Sequence, residues 1–198
     1  MPLSRYILDA KDEYRLRLRL HNKWIVKIRW FYLVLLVSVA IVTAGLTRAL
    51  GIYQGFVLWI GISGLLLNSL FWLLTQSKYH SVRFYSALAM CQFALDLSLS
   101  ACVVYFQGGI ASRATVLFAI PIIMAGLLIG QIYAFMAALG AGAFYALAIV
   151  AYHRQNPGAY SIRTALVPLI FYAVAFWVIA IIVSRVQASN AMDEREKS

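Results

Sequence analysis

The chain has 198 residues, of which 63 % are hydrophobic and 12 % are charged, and its net charge is +10. A globular domain is about 45–50 % apolar and about 25 % charged. A soluble core of this size has no room for so much apolar surface, and the same composition excludes disordered and collagen-like chains. The composition therefore predicts an integral membrane protein.

Long uncharged stretches recur along the sequence after residue 29. A helix needs about 20 apolar residues to cross the hydrocarbon core of a bilayer. The uncharged region between Arg113 and Arg154 is too long for one helix, and Gly130-Gln131 is its natural break. The predicted fold is an all-α membrane protein with six transmembrane helices. These six spans are Trp30 to Thr47, Tyr53 to Thr75, Phe84 to Phe106, Ala114 to Gly130, Ile132 to Tyr152 and Ala165 to Ser184.

The basic residues are distributed unevenly between the two sides of these spans. Eight of the 17 Lys and Arg residues precede the first span. If both termini are cytoplasmic, 13 bases lie on the inner side and four on the outer side, as the positive-inside rule requires. The bases after the first span are Lys78, Arg83, Arg185, Arg195 and Lys197 inside, and Arg48, Arg113, Arg154 and Arg163 outside. The charge pattern predicts cytoplasmic termini and needs no nucleic-acid partner.

Three regions follow from the span boundaries: a basic juxtamembrane segment at 1–29, the membrane domain at 30–184 and a charged tail at 185–198. Arg and Leu alternate at residues 15–20, which suits a strand by period. Beside a bilayer we expect instead a surface helix that runs into the first span, with Glu13 paired to Arg17.

The tail has no Pro or Gly stop signal, which predicts a helix continuing into the cytoplasm. A free charged end is the alternative.

Asp96 is the one acidic residue inside a predicted span. A charged carboxylate at this depth costs roughly 2.5–3.5 kcal/mol on insertion scales, so it must face the bundle interior, be paired or be protonated. Gln92 and Ser100 lie one helical turn on either side, which places the three on one polar stripe of the third span. Two interpretations stay open: a site that senses a ligand or a proton, and polar contacts that hold helices together.

Partners for the stripe are predicted by depth, counting residues from the inner end of each span. Asn68 lies at the depth of Gln92, and three hydroxyl side chains lie at the depth of Asp96. No Lys or Arg is expected at that depth, so we predict an uncharged hydrogen-bonded cluster. The side chains predicted to lie beside the stripe are Ser63, Asn68, Tyr145 and Tyr172.

The turn between the third and fourth spans contains adjacent glycines, Gly108 and Gly109. Glycine adopts positive φ at little cost, so the chain can reverse tightly at the membrane surface. Tyr105 and Phe106 before the turn suit the aromatic belt of a membrane protein. Pro121, near the start of the fourth span, removes a backbone donor and is expected to kink that helix.

Four segments of the sequence together carry a resemblance. They are Gln92 to Asp96, the turn Tyr105 to Arg113 (YFQGGIASR), Ile120 to Leu128 (IPIIMAGLL) and Ile28 to Leu33 (IRWFYL). In this combination the chain resembles the N-terminal membrane module of six-span sensor histidine kinases of the pilin-regulating and redox-responsive types. The resemblance implies a homodimer that passes a membrane or envelope signal to a cytoplasmic output domain and, through it, to a response regulator.

The turn matches the family pattern only in part. Gly108, Gly109 and Ser112 correspond to it, whereas Arg113-Ala114 stand where the family has Pro-Phe. In the redox-responsive branch this turn is associated with quinone sensing, so the departure weighs against a quinone here, and no other cofactor is predicted. Arg113 offers a contact to an anion or a lipid headgroup, or is a base that reaches for the membrane surface.

The chain lacks the kinase machinery that the resemblance implies for the parent protein. Its histidines, His21, His80 and His153, lie outside the predicted spans or at an edge, and no glycine-rich nucleotide loop follows a strand. The sequence also shows no metal-ligand spacing and no nucleophile–histidine–acid set. We therefore predict no catalytic residue and no metal site in this chain.

Two other functions also fit six short-looped spans. The first is the substrate-binding membrane subunit of a small-solute, vitamin-type transporter, in which the small-residue row Ala134, Ala138, Gly142 and Ala146 would dock a partner helix. The second is a scaffolding membrane protein. The sensory input domain is the main prediction because the resemblance supports it.

Overall fold

A computed structural model describes residues 3–47, 52–76 and 81–196. These residues fold into helices and contain no strand, which confirms the all-α prediction. Arg48, Lys78, His80 and Lys197, four of the residues weighed above, lie outside the described residues. The helices are α1 (Leu3–Thr47), α2 (Ile52–Gln76), α3 (Val82–Phe106), α4 (Ala119–Leu128), α5 (Gln131–Gln155) and α6 (Ile162–Glu196), with two 3-10 segments, Gly109–Ala111 and Arg113–Phe118, before α4.

Five of the described helices are long and apolar enough to cross a membrane, so the chain is a multi-pass membrane protein by helix length and composition. The fourth predicted span differs from the other five. It folds as six residues of 3-10 helix, Arg113–Phe118, followed by the ten α-helical residues of α4. At rises of about 2.0 and about 1.5 Å per residue it is about 27 Å long, slightly less than the roughly 30 Å hydrocarbon core.

Pro121 lies in the first turn of α4, and its ring is buried. Proline is tolerated in the first turn of an α-helix, where its fixed φ suits the helical conformation. The change of helix type lies just before it, since the 3-10 segment ends at Phe118 and the α-helix begins at Ala119.

The first helix contains both the basic segment and the first span without interruption over 45 residues. The alternating Arg and Leu residues are helical, and Arg17 Nη2 lies 2.8 Å from Glu13 Oε1, as predicted for a pair one turn apart. Arg19 donates from Nε to the carbonyl oxygen of Thr75 at 3.0 Å and from Nη2 to that of Gln76 at 2.7 Å. The basic segment thus binds the unpaired carbonyl groups at the end of α2.

The last helix is equally continuous. It extends for 35 residues, from Ile162 to Glu196, and passes Ser184, the end of the sixth predicted span, without a break. Helical continuation of the tail is therefore confirmed as far as Glu196.

Contacts divide the chain into two units, one through Gln92 and one from Phe93. In the first unit, Leu18, Tyr85 and Leu88 form a buried cluster that Phe71 and Leu74 partly cover. In the second unit, helices α4, α5 and α6 pack on one another through small side chains. The buried small residues of α5 are Ala134, Ala137, Ala138, Ala141 and Ala148. Small residues let helix backbones approach closely, which is the usual packing in membranes.

Candidate functional site

Arg29 on α1 is completely buried within the first unit. Its Nη1 atom donates to Asn68 Oδ1 at 3.3 Å and to Gln92 Oε1 at 3.4 Å, and its Nη2 atom donates to the backbone carbonyl oxygen of Gln92 at 3.0 Å. The guanidinium also lies 5.5 Å from the centre of the Phe71 ring. A planar group with donors in fixed directions can thus bind α2 and α3 at the same time.

The hydrogen bonds continue beyond the arginine. Gln92 Nε2 donates to Asn22 Oδ1 at 2.8 Å, and Asn22 Nδ2 donates to the carbonyl oxygen of Tyr85 at 3.1 Å. Asn68 Nδ2 donates to the carbonyl oxygen of Val26 at 3.0 Å. We call the four side chains Asn22, Arg29, Asn68 and Gln92 the Arg29 network; each of them is fully buried.

This network links α1, α2 and α3 through polar groups alone. Placing a cation at the centre of a membrane helix costs roughly 2.5–3.5 kcal/mol on insertion scales, and such residues usually face the bundle interior and mark functional sites. Here, amide and carbonyl oxygens surround the guanidinium. A rotation or shift of any one helix would stretch hydrogen bonds to both of the others, so the network fixes their register.

The expectation of an uncharged cluster is wrong for Asn68 and Gln92, because Arg29 lies between them. Counting the first span from Trp30 treated Arg29 as a flanking topology charge. In the sequence, Leu18, Asn22, Arg29 and Leu33 recur at steps of four and seven residues, the spacing of one helix face. This spacing could have predicted the position of Arg29, because it places Arg29 on the buried face of α1.

The stripe predicted on α3 is buried: Gln92, Asp96 and Ser100 are 0 %, 3 % and 5 % exposed. Ser100 Oγ donates to the backbone carbonyl oxygen of Asp96 at 2.8 Å. Ser63 is exposed on α2, so its predicted place in a buried polar cluster is wrong. Depth alone was an insufficient guide, because it ignores which face of the helix carries the residue.

Tyr145 and Tyr172 do lie together, but in an aromatic cluster. Their rings meet edge to face with centres 5.3 Å apart, and the Phe118 ring lies 6.1 Å from Tyr145 and 5.6 Å from Phe176. The Tyr145 hydroxyl is buried near the Thr115 side chain, and it forms no hydrogen bond of normal distance and angle among the described residues. Phe118 and Phe176 were not anticipated, because phenylalanines are ordinary in a membrane helix and their sequence positions carry no distinguishing signal.

The glycine turn has the conformation that its sequence predicts. Gly108 has φ 97° and Gly109 has φ 64°, both in the left-handed region. Gly109 is also crowded, because a Cβ atom there would lie 2.9 Å from the Tyr160 hydroxyl and 3.2 Å from Tyr152 Cδ1. Backbone conformation and close approach therefore both require glycine at position 109.

Polar side chains complete this turn. Ser112 is buried, and its Oγ donates to Gln107 Oε1 at 2.8 Å while accepting from the backbone N–H of Ala114 at 3.1 Å. Gln107 Oε1 also accepts from that N–H, at 3.2 Å. Arg113 is exposed. Sequence reasoning found Ser112 but missed Gln107, whose role depends on a side chain that bends back over the turn.

The end of α5 anchors the turn through aromatic residues. Tyr105 donates from its hydroxyl to Gln155 Oε1, and the rings of Tyr152 and Tyr160 stack with centres 6.0 Å apart. Tyr160 donates to the carbonyl oxygen of Ile149 at 2.8 Å. Burial and the neighbouring Tyr152 raise the pKa of the Tyr160 hydroxyl, which favours the protonated, donating form.

Within the described residues, no three His, Cys, Asp or Glu side chains come together in a group that could hold a metal ion. Cys91 and Cys102 are free thiols, both exposed on α3.

Comparisons of the chain with protein-family models, with curated proteins and with solved structures give no match.

Proposed function

We propose that the chain is the membrane-embedded sensory input domain of a sensor histidine kinase and that α6 carries its signal. The supporting observation is the continuity of α6, which extends for 35 residues to a charged end at Glu196. At 1.5 Å per residue this helix is about 52 Å long, which exceeds the roughly 30 Å hydrocarbon core. Pro168 lies in the second turn of α6, and the helix continues from there to Glu196, so this part of α6 can couple a shift inside the membrane to an output domain outside it.

The proposed topology has six crossings of a bacterial inner membrane, with both termini on its cytoplasmic side. It is supported by the excess of bases at the termini and by the length of the segment Arg113–Leu128, which is short of the hydrocarbon core by only a few ångströms, an amount that local thinning of the bilayer absorbs. Reporter fusions at the two termini test it. Signals on the same side of the membrane support six crossings, and signals on opposite sides would mean five.

A switch needs two packings of similar energy, one of which the signal favours. The buried stripe of α3 is the proposed origin of this choice. Gln92 belongs to the Arg29 network, and Asp96 lies one turn later on the same helix, so a change in the hydrogen bonding of either side chain alters the packing of α3.

The Asp96→Asn variant tests this role in the full chain fused after Ser198 to the dimerisation and catalytic domains of a histidine kinase. We expect altered kinase output with an unchanged amount of protein in the membrane, because the amide keeps the size of the side chain and replaces the carboxyl group. Cys91→Ser is the matched control, since Cys91 is exposed on the same helix. Normal signalling by Asp96→Asn would reduce the carboxylate to a packing role.

The proposed homodimer is tested by disulfide crosslinking in the native membrane. Single cysteines are placed at positions 186 to 196 in a background with Cys91→Ser and Cys102→Ser. Two α6 helices that pair outside the membrane give dimer bands recurring every three to four positions. Uniformly absent crosslinking would contradict a dimer formed through α6.

The transporter alternative receives no support from the small-residue row on α5. Ala134 and Ala138 are 0 % and 1 % exposed, because helices of the same chain pack against them. A Cβ atom at Gly126 on α4 would lie 3.0 Å from Ala134 Cβ, which shows how closely the two backbones approach. At least half of the row is therefore used within the chain and is not free for a partner.

A further inference from the structure

A groove of about 330 Å³ lies between the second half of α5 and the first turns of α6. Its body is lined by apolar side chains of both helices, among them Ala146 and Ile149 of α5 and Ala165 and Leu169 of α6. Binding sites for small molecules typically measure about 300–1,000 Å³ and are mainly apolar with a few placed polar groups. The groove thus has the size and lining of a site for one apolar chain.

The polar groups lie at one end of this groove, at the last turn of α5. His153, Arg154 and Tyr160 line it there, mainly with the apolar parts of their side chains. The His153 ring stacks on Tyr160 with centres 5.3 Å apart, and Tyr160 is itself held by its hydrogen bond to the carbonyl oxygen of Ile149. The imidazole is therefore fixed in place. Its Nδ1 atom is buried and has no hydrogen-bond partner among the described residues.

The charge at this end is the second feature of the site. Arg154 is exposed and forms no ion pair within the described part of the chain. Between Asp96 and Asp193 the sequence contains no acidic residue, although it contains four arginines. An anionic group that binds Arg154 must therefore come from outside this stretch of the chain.

We propose that the groove binds one acyl chain of an anionic phospholipid. In this arrangement, the acyl chain lies along the apolar body between α5 and α6. Arg154 binds the headgroup phosphate, and the stacked rings of His153 and Tyr160 form the wall of the groove beside it. The depth is consistent with this assignment, because α5 ends at Gln155, where apolar span gives way to charged and polar residues and headgroups are expected. The bound lipid would contact α6 directly.

Lipid titration of the detergent-solubilised full chain tests the charge at this site. Phosphatidylglycerol and phosphatidylcholine with the same acyl chains are added separately, and bound lipid is counted by native mass spectrometry. We expect the chain to prefer phosphatidylglycerol and Arg154→Gln to lose about fivefold in affinity for it, which corresponds to about 1 kcal/mol for one base near an anionic headgroup. Arg163→Gln is the matched control, because Arg163 is exposed near the start of α6 and does not line the groove.

A second pair of variants tests the apolar body of the groove. Ala146→Phe fills it and is expected to abolish the specific binding of phosphatidylglycerol, whereas Ala143→Phe places the same ring on an exposed position of α5 outside the groove and leaves binding intact. If Ala146→Phe fails to fold, the comparison of Arg154→Gln with Arg163→Gln still tests the proposal.

Three results would overturn the proposal. Equal losses in Arg154→Gln and Arg163→Gln would mean general attraction to anionic lipid. Equal binding of the two lipids by the unmodified chain would remove the role of charge. Unchanged lipid binding in Ala146→Phe, together with a changed dimer fraction, would assign the groove to a second copy of the chain.

Discussion

The two units of the chain bury polar side chains in different ways. In the first unit, which ends at Gln92, amide and carbonyl oxygens accept hydrogen bonds from a buried arginine. Each side chain of the Arg29 network forms more than one hydrogen bond. From Phe93 onward, the helices pack through alanines and aromatic rings, and the buried Tyr145 hydroxyl forms no hydrogen bond of normal distance and angle among the described residues. A buried polar network connects the helices of the first unit, whereas the polar contacts described in the second unit lie mainly around its glycine turn.

This difference reflects the two ways in which helices associate in a bilayer. Lipid tails are as apolar as leucine, so burial of apolar surface does not drive helices together, and hydrogen bonding or close packing must do so. The helices of the first unit associate through hydrogen bonding, and those of the second unit associate mainly through close packing. The variants below separate the two mechanisms, from the largest expected effect to the smallest.

Arg29→Met is expected to lower the free energy of unfolding by about 2–3 kcal/mol, because it removes hydrogen bonds from a charged donor and leaves buried acceptors unsatisfied. Reversible unfolding in mixed detergent micelles measures it. Lys27→Met is the control, since Lys27 is exposed two residues earlier on the same helix and its loss should change the free energy by less than about 0.5 kcal/mol. Equal effects of the two variants would show that the network is not stabilising.

Gly126→Ala tests close packing in the second unit. A Cβ atom at this position would lie 2.3 Å from Val183 Cγ1, and the branched valine has little freedom to move away. We expect the free energy of unfolding to fall by about 1–3 kcal/mol, as for other overpacked sites.

Gly142→Ala is the control for this steric argument. No atom lies within 4 Å of the corresponding Cβ position on α5, so the variant should gain about 0.5–1 kcal/mol from the higher helix propensity of alanine. A loss of stability in Gly142→Ala as large as that in Gly126→Ala would contradict the close approach of α4 and α6.

Gly109→Ala tests the backbone of the turn. The left-handed conformation costs an alanine about 1–2 kcal/mol, and its Cβ atom would also meet the Tyr160 hydroxyl. Thermal unfolding should therefore occur at a lower temperature. Gly158→Ala, at a site with open space around the Cβ position, should leave the transition within error, and a similar fall there would rule out the steric explanation.

Tyr145→Phe is expected to have the smallest effect. The aromatic contacts persist, and the hydroxyl that is removed forms no hydrogen bond of normal distance and angle among the described residues, so the free energy of unfolding should change by less than about 0.5 kcal/mol or rise slightly. A loss above about 1 kcal/mol in the same detergent assay would mean that the hydroxyl is hydrogen-bonded, and the contrast between the units would weaken.

Features with local causes could be predicted from the sequence. Runs of apolar residues located the helices, the adjacent glycines at 108 and 109 indicated a turn with positive φ, and the absence of a stop signal after Ser184 indicated that α6 continues. Each depends only on residues that are neighbours in the chain.

Features that depend on tertiary contacts were missed. Arg29 stands at the edge of an apolar run, so it resembled a topology charge until the three helices were in place. The 3-10 start of the fourth segment follows from the bonds that Gln107 and Ser112 form around the turn. Ser63 was assigned by depth, and only the packing of α2 shows that it faces outward.

The central proposal is that the part of α6 after Pro168 transmits a signal as one continuous helix. The most direct test inserts one to seven alanines after Arg185 in the full chain fused to kinase dimerisation and catalytic domains, and measures autophosphorylation in membranes. Each inserted residue rotates the helix by about 100°. Kinase output should therefore vary with the number of inserted alanines and return to its original level at about three to four and at about seven of them. Output that is unaffected by the number of inserted residues would contradict transmission through α6.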